Sequence, residues 1–208
     1  YRSDDLPTDR YMAVEGSNGL IAAIADAHSL EAAGDKILRP LEDGSLPAPY
    51  EGAVALDGNL TVELLARMAQ SPLLAKADLR VAPASPGKAL RLTPFLKAGR
   101  GTLYVNLEEA GLLCQASFDD SPSAARALLA RGARRAVVTD GGNPATVGQG
   151  DDIITLTPPS VHVARVTGAG DTFMAAHVAA ELGGAVAQPA LKAALDAAAL
   201  YVSGETKI

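Results

Sequence analysis

One short segment near the C-terminal end combines small residues with a carboxylate in an order that suits phosphate chemistry. Residues 166–173 read V-T-G-A-G-D-T-F and lead into a helical pattern at residues 172–182. Glycine lets a backbone approach an anion closely, and the start of a helix presents unpaired amides to it. The successive amides of Gly168, Ala169 and Gly170 are therefore predicted to form an anion hole for the charge on a transferred phosphoryl group.

Asp171 follows this glycine loop directly. Like charges repel, so its carboxylate is not suited to bind the phosphate itself. It is suited to act as a base that takes the proton of an attacking hydroxyl. Two simpler interpretations stay open: the glycines form only a tight turn, and the acid is only a partner of the helix dipole.

The segment is not a dinucleotide-binding fingerprint, because Phe173 stands where a third glycine is required. The sequence also contains no G-x-x-x-x-G-K-[ST] phosphate loop. A dehydrogenase is therefore not indicated.

Short apolar runs alternate with helical patterns along most of the chain. Strands are predicted at residues 53–56, 79–82, 102–105 and 136–138, and helices at residues 60–69, 87–97, 108–114 and 121–132, with two more helices from about Asp171 and Pro189. This alternation favours parallel strands whose crossover helices cover both faces of the sheet. The pattern predicts an α/β fold: a three-layer αβα, doubly wound, mostly parallel sheet. Ligands bind such sheets at the carboxyl ends of the strands.

The first 26 residues follow a different pattern. Two short strands at residues 10–15 and 20–25 flank the turn 16–19, which predicts a β-hairpin. A second hairpin is predicted from residues 145–147 and 153–156. We therefore divide the chain into a small β-hairpin unit, residues 1–26, and a core, residues 27–208.

Composition narrows the class of protein. The chain has 208 residues, 48% of them hydrophobic, and no apolar run approaches the roughly 20 residues that span a bilayer. A net charge of −6 gives no general attraction to nucleic acid. With Cys114 as the one cysteine, no internal disulfide can form, so a reducing cytoplasm is the expected location.

Several polar residues are assigned no chemistry. The three histidines, His28, His162 and His177, lie far apart and are predicted to be surface or loop residues. Cys114 has no basic neighbour to activate it and is predicted to be a small core residue. The acidic pairs at residues 4–5 and 119–120 are predicted to be turn or cap acids.

The glycine loop resembles the C-terminal signature of the ribokinase-like (phosphofructokinase-B) family of carbohydrate and nucleoside kinases. Residues 106–109, N-L-E-E, resemble the N-x-x-E motif of that family, and residues 137–142, V-V-T-D-G-G, resemble its nucleotide-binding strand and turn. From the residues alone, Asn106 is more simply a turn residue at a strand end and Glu109 a solvated helix acid. The order and spacing of all three segments match the family.

The resemblance implies an ATP-dependent kinase in which Asp171 is the catalytic base. It places Asn106, Thr139, Gly141 and Thr167 near ATP. It further implies that Glu109 organises Mg²⁺ through water.

Within this family the resemblance is closest to pseudouridine kinases. It is carried by residues 8–14 and 22–26, which resemble the lid hairpin of that subgroup, by D-G-N-L at residues 57–60, and by S-P-G-K at residues 85–88. The resemblance thus implies that residues 1–26 are a partial β lid. It implies that Asp57 and Asn59, together with Asp171, bind the substrate. Alternatively, the first two are turn formers and Lys88 is a surface charge.

Two departures from the family pattern affect these expectations. Arg165 occupies a position where family members usually have Asp, so a monovalent-cation site is in doubt. Family members also begin with a first strand, an Asp and a Gly-Gly motif ahead of the lid. We therefore expect the printed sequence to be either part of a longer protein or a shortened homologue.

The resemblance favours pseudouridine as the small-molecule substrate and a homodimer formed through the lid. The alternatives are a sugar kinase of other specificity and a nucleotide-binding homologue without catalysis. Neither nucleic acid nor a membrane is expected as a partner.

Overall fold

The computed structural model describes residues 6–16 and 19–205. Strands β1 (Tyr11–Gly16) and β2 (Gly19–Ala25) form a two-stranded antiparallel hairpin, as predicted. The centre of its turn, residues 17 and 18, and the acidic pair at residues 4–5 lie outside the described residues. Large apolar side chains of the hairpin are exposed: Tyr11, Met12, Val14, Ile21 and Ile24.

Two short helices that the sequence pattern did not predict lead from the hairpin to the core. Helix α1 (His28–Ala33) continues into a 3₁₀ turn (Gly34–Leu38) and then into α2 (Arg39–Glu42). Each element is too short to show a clear helical periodicity in the sequence.

The stem of the hairpin is fixed to the beginning of α1. The Asp9 carboxylate accepts hydrogen bonds from the amides of Ser29 and Leu30, both at 2.9 Å. The amide of Asp26 donates to the Arg10 carbonyl at 2.8 Å, which closes the open end of the hairpin. A carboxylate at a helix N-terminus is stabilised by the free amides there.

The core is built on one six-stranded sheet with the strands in sequential order. Its strands are β3 (Ala53–Asp57), β4 (Asp78–Ala82), β5 (Thr102–Asn106), β6 (Arg135–Asp140), β7 (Asn143–Gln149) and β8 (Asp152–Leu156). Strands β3 to β6 are parallel, and β7 and β8 are antiparallel. The predicted second hairpin is thus confirmed, with longer strands.

Helices cover both faces of the sheet, which confirms the predicted three-layer αβα architecture. One face carries α3 (Val62–Gln70), a 3₁₀ turn (Pro86–Leu92), α4 (Thr93–Ala98), α5 (Leu107–Cys114) and α6 (Ser121–Ala130). The other face carries α7 (Ala169–Leu182) and α8 (Ala187–Ser203). Alternation along β5 separates the two cores, because Leu103 and Val105 face the first layer and Tyr104 faces the second.

Three local predictions differ from the structure. The single helix expected at residues 87–97 is a 3₁₀ turn followed by α4, because Pro94 in the first turn of α4 has no amide to continue the preceding helix. Helix α6 ends at Ala130, before the expected residue 132, and its N-cap is Asp120, whose carboxylate accepts from the Ser123 amide at 2.8 Å. Helix α7 begins at Ala169, before the expected residue 172.

Two other predictions are confirmed. Cys114 is a buried core residue, and the pair at residues 119–120 supplies a helix cap. In the part of the chain that the structure describes, no helix has the length and apolar character needed to cross a bilayer.

Candidate active site

The parallel strands bring most of the predicted site residues to one edge of the sheet. Asp57 ends β3, and Asn106 ends β5. Asn106 pairs with Thr139 of β6 in the parallel register, so these two predicted ATP contacts are neighbours. This is the edge at which sheets of this type bind ligands.

The glycine loop forms the start of α7. Gly168 is the N-cap, with a φ of 90°, and its carbonyl accepts from both the Thr172 amide (2.9 Å) and the Thr172 hydroxyl (2.8 Å). Asp171 lies in the first turn of the helix and is exposed. Gly170 is also exposed, and a methyl group there would meet no atom within 4 Å.

The predicted three-amide anion hole needs one correction. The amide of Ala169 donates to the Val166 carbonyl at 3.0 Å, which closes the turn that starts the helix. In this conformation the Ala169 amide does not face outward. The loop therefore presents fewer amides to an anion than the sequence pattern suggested.

Tyr201 of α8 packs against the glycine loop and holds it by a hydrogen bond. Nothing in the sequence indicated this role. The Tyr201 hydroxyl donates to the Thr167 carbonyl at 2.8 Å. A Cβ atom at Gly168 would lie only 2.6 Å from that hydroxyl. Arg165 is fixed on the same residue: its guanidinium lies 3.9 Å from the Tyr201 ring centroid, and its Nε donates to the Tyr201 carbonyl at 2.8 Å.

Asn106 and Glu109 form a capping box at the start of α5. The Asn106 side chain accepts from the Glu109 amide, and the Glu109 carboxylate accepts from the Asn106 amide, both at 2.8 Å. Glu109 is only 7% exposed, so its interpretation as a solvated helix acid is wrong. Burial raises the pKa of this carboxyl, although the bond from Asn106 opposes the shift.

Asp57, Asn59 and Lys88 are brought together at the end of β3. The Asp57 carboxylate accepts from the backbone amide of Asn59 at 2.8 Å and from its side-chain amide at 3.0 Å. Lys88 donates to the Asn59 side-chain oxygen. Asp57 and Asn59 do form a turn, as the simpler interpretation holds, but Lys88 is paired and half-buried, not an isolated surface charge.

Arg91 holds this turn in place and was not identified from the sequence. Its Nη1 lies 3.1 Å from the Gly58 carbonyl and 3.2 Å from the Leu60 carbonyl. Nothing distinguishes Arg91 in the sequence from other cations in helical segments. The turn also approaches the next strand closely, since a Cβ at Gly58 would lie 2.2 Å from the Pro83 carbonyl oxygen.

The predicted nucleotide-binding turn joins β6 to β7. Asp140 pairs with Asn143, whose side-chain amide donates to the Asp140 carboxylate at 3.0 Å. Gly141 has a φ of 54°, is exposed, and has no atom within 4 Å of where a side chain would begin. The surface above Gly141 is therefore open to a ligand.

His177 is the clearest error of the sequence analysis. It was predicted to be a surface or loop residue, but it lies on α7 and is fully buried. Its Nδ1 lies 2.8 Å from the Tyr104 hydroxyl and 3.7 Å from the Glu181 carboxylate. The available signal was its spacing from Glu181, four residues along an otherwise apolar helix. His28 and His162 are exposed, as predicted.

Burial shifts the pKa values around this histidine. It lowers the pKa of His177 from 6.5 to about 4, because the cation would be desolvated. Burial also opposes ionisation of Glu181, but hydrogen bonds from Arg135 and Arg80 outweigh that effect and lower its pKa to about 2.

Metal binding by the protein alone is not indicated. Among residues 6–16 and 19–205, no three His, Cys, Asp or Glu side chains are grouped so that they could hold a metal ion. Glu109 offers one carboxylate, of which Oε2 already accepts from the Asn106 amide. This donor set suits Mg²⁺ that is carried by nucleotide phosphates and keeps several of its waters.

A cavity lies away from this edge of the sheet. It has a volume of about 430 Å³ and is found at the amino ends of the strands, beside Lys76, Arg100 and Arg135. The predicted site residues do not line it, so the candidate site is the open edge formed by the strand ends and the glycine loop.

Solved structures with the same fold are sugar and nucleoside kinases. A carbohydrate kinase from Agrobacterium tumefaciens has 26% identity and a TM-score of 0.74, over 94% of this chain and 62% of its own. A ribokinase from Thermotoga maritima has 17% identity and a TM-score of 0.76, over 95% and 64%. An adenosine kinase from Trypanosoma brucei brucei has 14% identity and a TM-score of 0.74, over 97% and 66%.

The ribokinase and the adenosine kinase, at these identities, show the shared fold alone. The chain spans less than two thirds of the length of these three proteins. No curated protein sequence matched it. The profile of the pfkB family carbohydrate kinases matches residues 52–206, which include the turn after β3, the capping box and the glycine loop. The chain therefore belongs to the pfkB family of carbohydrate kinases.

Proposed function

We propose that this chain is the nucleotide-binding and base-carrying part of an ATP-dependent kinase that phosphorylates a primary hydroxyl of a sugar or nucleoside. The observation that carries the proposal is the exposed carboxylate of Asp171 in the first turn of α7, directly behind the glycine loop. Membership of the pfkB family supports it.

Asp171 would accept the proton of the attacking hydroxyl as that oxygen bonds to the γ-phosphorus of ATP. The bond from the γ-phosphorus to the β–γ bridging oxygen breaks in the same transfer, and ADP leaves. The loop amides would stabilise the charge that builds on the phosphoryl oxygens. Gly170 is exposed, so a phosphate group has room to approach its backbone closely. For the Ala169 amide to join them, its bond to the Val166 carbonyl has to break when the nucleotide binds.

The ATP phosphates and ribose would lie along the ends of β5 and β6. Thr139 and Gly141 face this edge, and Thr167 lies at the base of the loop, where its carbonyl is held by Tyr201. Mg²⁺ bound to ATP offsets the phosphate charge during transfer. Glu109 would contact its waters through Oε1, since Oε2 is held by the capping box.

The favoured substrate is pseudouridine. Asp57 and Asn59 offer a carboxylate and an amide, which suit sugar hydroxyls, and their orientation is fixed by hydrogen bonds to each other and to Lys88. The support for pseudouridine over other acceptors is the resemblance of residues 57–60 and 85–88 to that subgroup.

The test is ADP release by the full-length protein with pseudouridine, uridine, adenosine, ribose or fructose 6-phosphate. We expect turnover with pseudouridine and loss of turnover in the matched variant Asp171→Asn. Turnover with a different acceptor would overturn only the substrate assignment. Nucleotide binding without ADP release for any acceptor would favour the non-catalytic homologue instead.

We also propose that the lid pairs with the lid of a second copy. The exposed apolar side chains of β1 and β2, such as Met12 and Ile24, support this, because open strands with such side chains favour pairing. A mass measurement should show a dimer that Met12→Glu converts to a monomer. The reducing cytoplasmic location expected from the single cysteine stays a prediction.

A further inference from the structure

Five polar side chains lie between α7 and the sheet: Arg80, Tyr104 and His177, which are buried, and Arg135 and Glu181, which are partly buried. We call these five residues the α7 anchor. Arg80 Nη1 and Arg135 Nη1 both donate to Oε2 of Glu181, the second at 2.9 Å, and Arg135 Nη2 donates to Oε1. Arg80 Nη1 also lies 3.0 Å from the Tyr104 hydroxyl, which in turn contacts His177. The side chains of Arg80, Arg135 and Glu181 are only 7%, 12% and 13% exposed.

Together with Asp78, which lies outside it, the anchor is balanced in charge at neutral pH. Asp78 pairs with Arg80 at 2.6 Å, so two guanidinium groups face two carboxylates, while the lowered pKa of His177 keeps that ring neutral. Breaking a buried pair on one side leaves an uncompensated charge, which is strongly unfavourable. The pairing therefore ties Glu181 to both arginines.

Three parallel strands meet a single helix at this point. Arg80 belongs to β4, Tyr104 to β5 and Arg135 to β6, whereas His177 and Glu181 belong to α7. Among the residues of α7, only Phe173 and His177 are buried, and much of the remaining surface is alanine. Phe173 and the partly buried Met174 and Val178 hold the helix against the second core, and α7 also packs on α8. The polar contacts add directional bonds to three strands, and these bonds fix the rotation of the helix and its position along the sheet.

We infer that Glu181 is a positioning residue: through Arg80 and Arg135 it holds α7 in the one placement that aims Asp171 and the glycine loop at the transferred phosphoryl group. This inference rests on the proposed function. Glu181 lies ten positions after Asp171 on the helix, which is about 15 Å at a rise of 1.5 Å per residue. A helix transmits a shift at one end to the other, and a misplacement of about 1 Å can cost a factor of about 10² in rate.

Glu181→Gln removes the charge while keeping the shape of the side chain. In the full-length protein we expect kcat to fall by about 10-fold or more, with the KM for ATP changed less than about 2-fold. If Glu181 acts through Asp171, the double variant Glu181→Gln/Asp171→Asn turns over no more slowly than Asp171→Asn alone. If the two substitutions instead lower kcat by the product of their separate factors, the inference is overturned.

Hydrogen exchange supplies a readout that does not depend on activity. We expect the amides of residues 169–175 to exchange at least about 10-fold faster in Glu181→Gln, while those of α6 are unchanged. Faster exchange confined to the last turn of α7 would overturn the inference. If the wild-type protein releases no ADP, the kinase proposal fails, and this comparison still decides whether the anchor holds the first turn.

Two controls separate positioning from general destabilisation. Asp196→Asn removes a carboxylate from the exposed Lys192–Asp196 pair on α8 and should change neither readout. Leu128→Ala destabilises the opposite layer, where Leu128 is fully buried, and should leave kcat unchanged at temperatures where the protein stays folded. An equal loss of kcat in Leu128→Ala would contradict a specific role for Glu181.

A second, charge-balanced variant serves as the test if Glu181→Gln does not fold. Glu181→Gln/Arg135→Gln removes one charge of each sign, leaving Arg80 paired with Asp78. We expect this variant to fold and still to show the fall in kcat, because β6 no longer holds α7 by an ion pair. Wild-type kcat in this variant would refute the role of the anchor.

Discussion

Lowering the pH from 7 to 5 should destabilise the protein through one buried imidazole. His177 contacts Tyr104 of β5, stacks beside Phe173 at 6.2 Å, and lies next to Glu181. The arginines from β4 and β6 disfavour its cation, and burial lowers its pKa from 6.5 to about 4. Between these values the unfolded chain binds a proton that the folded protein does not. Stability is therefore fully present above pH 6.5 and is lost as the pH falls toward 4.

The magnitude follows from the two pKa values of His177. At pH 5 the unfolded imidazole is almost fully protonated, whereas only about a tenth of the folded protein carries that proton. Integrating the difference from pH 7 to pH 5 gives a loss of about 2 kcal/mol in the free energy of unfolding. Glu181 acts outside this window. Its lowered pKa contributes stability that is present above about pH 4.5 and is lost only as the pH falls below that value.

One exposed histidine acts in the opposite direction. A hydrogen bond to Asp26 raises the pKa of His28, so its contribution is present at low pH and is lost as the pH rises through the folded value. The comparison therefore needs His28→Gln as well as His177→Gln. Both variants remove the titration without introducing a new charge.

Urea unfolding of the full-length protein at pH 7, 6 and 5 measures the effect. We expect the free energy of unfolding to fall by about 2 kcal/mol more in the wild type than in His177→Gln over this range. His28→Gln should retain the full fall. The same pH dependence in the wild type and His177→Gln would refute the argument that the ring is neutral because it is buried.

Four further predictions concern the candidate site. Asp171→Asn should lower kcat by roughly 10²–10⁴ with ATP affinity nearly unchanged, measured by ADP release and nucleotide binding; near-normal turnover would remove this residue as the base. Gly168→Ala should lower both stability and turnover, since its φ is 90° and its Cβ would lie 2.6 Å from the Tyr201 hydroxyl. Gly170→Ala, where a Cβ meets nothing within 4 Å, should unfold like the wild type and lose only phosphate affinity and turnover; unchanged catalysis would count against the anion hole. Asn106→Ala should cost about 1 kcal/mol in urea unfolding because it removes the cap of α5, and an unchanged midpoint would contradict that role.

The layered fold was predictable because its signals are local. Each strand of β3 to β6 is a short apolar run, and α3 shows its apolar face in consecutive turns. The glycine loop was found in the same way, since all of its residues lie within one segment of the chain. The capping box joins two residues only three positions apart, Asn106 and Glu109, so it too is a local feature. The sequence pattern nevertheless did not show that the Glu109 carboxyl is buried.

The α7 anchor could not be predicted, because its members are far apart in the chain. Arg80 and Glu181 are separated by 101 positions, Tyr104 and His177 by 73, and Arg135 and Glu181 by 46. Only the packed sheet brings them together, and each one by itself looks like an ordinary polar residue. Tyr201 and Arg91 were missed for the same reason, since each acts on backbone carbonyls more than 30 positions away.

The hydrogen bonds between the hairpin stem and α1 fix the base of the hairpin, which is the pivot for any tilt of its strands. The Asp9 carboxylate is bonded to the first turn of that helix, so the base of the hairpin stays in place and the hairpin moves by tilting about it. Beyond the pivot, β1 extends for six residues, about 20 Å at 3.3 Å per residue. A tilt of about 10° at the base moves the far end of β1 by about 3.5 Å, roughly one residue rise along a strand. A small change of angle at the stem is therefore amplified into a displacement of atomic size at the far end of β1.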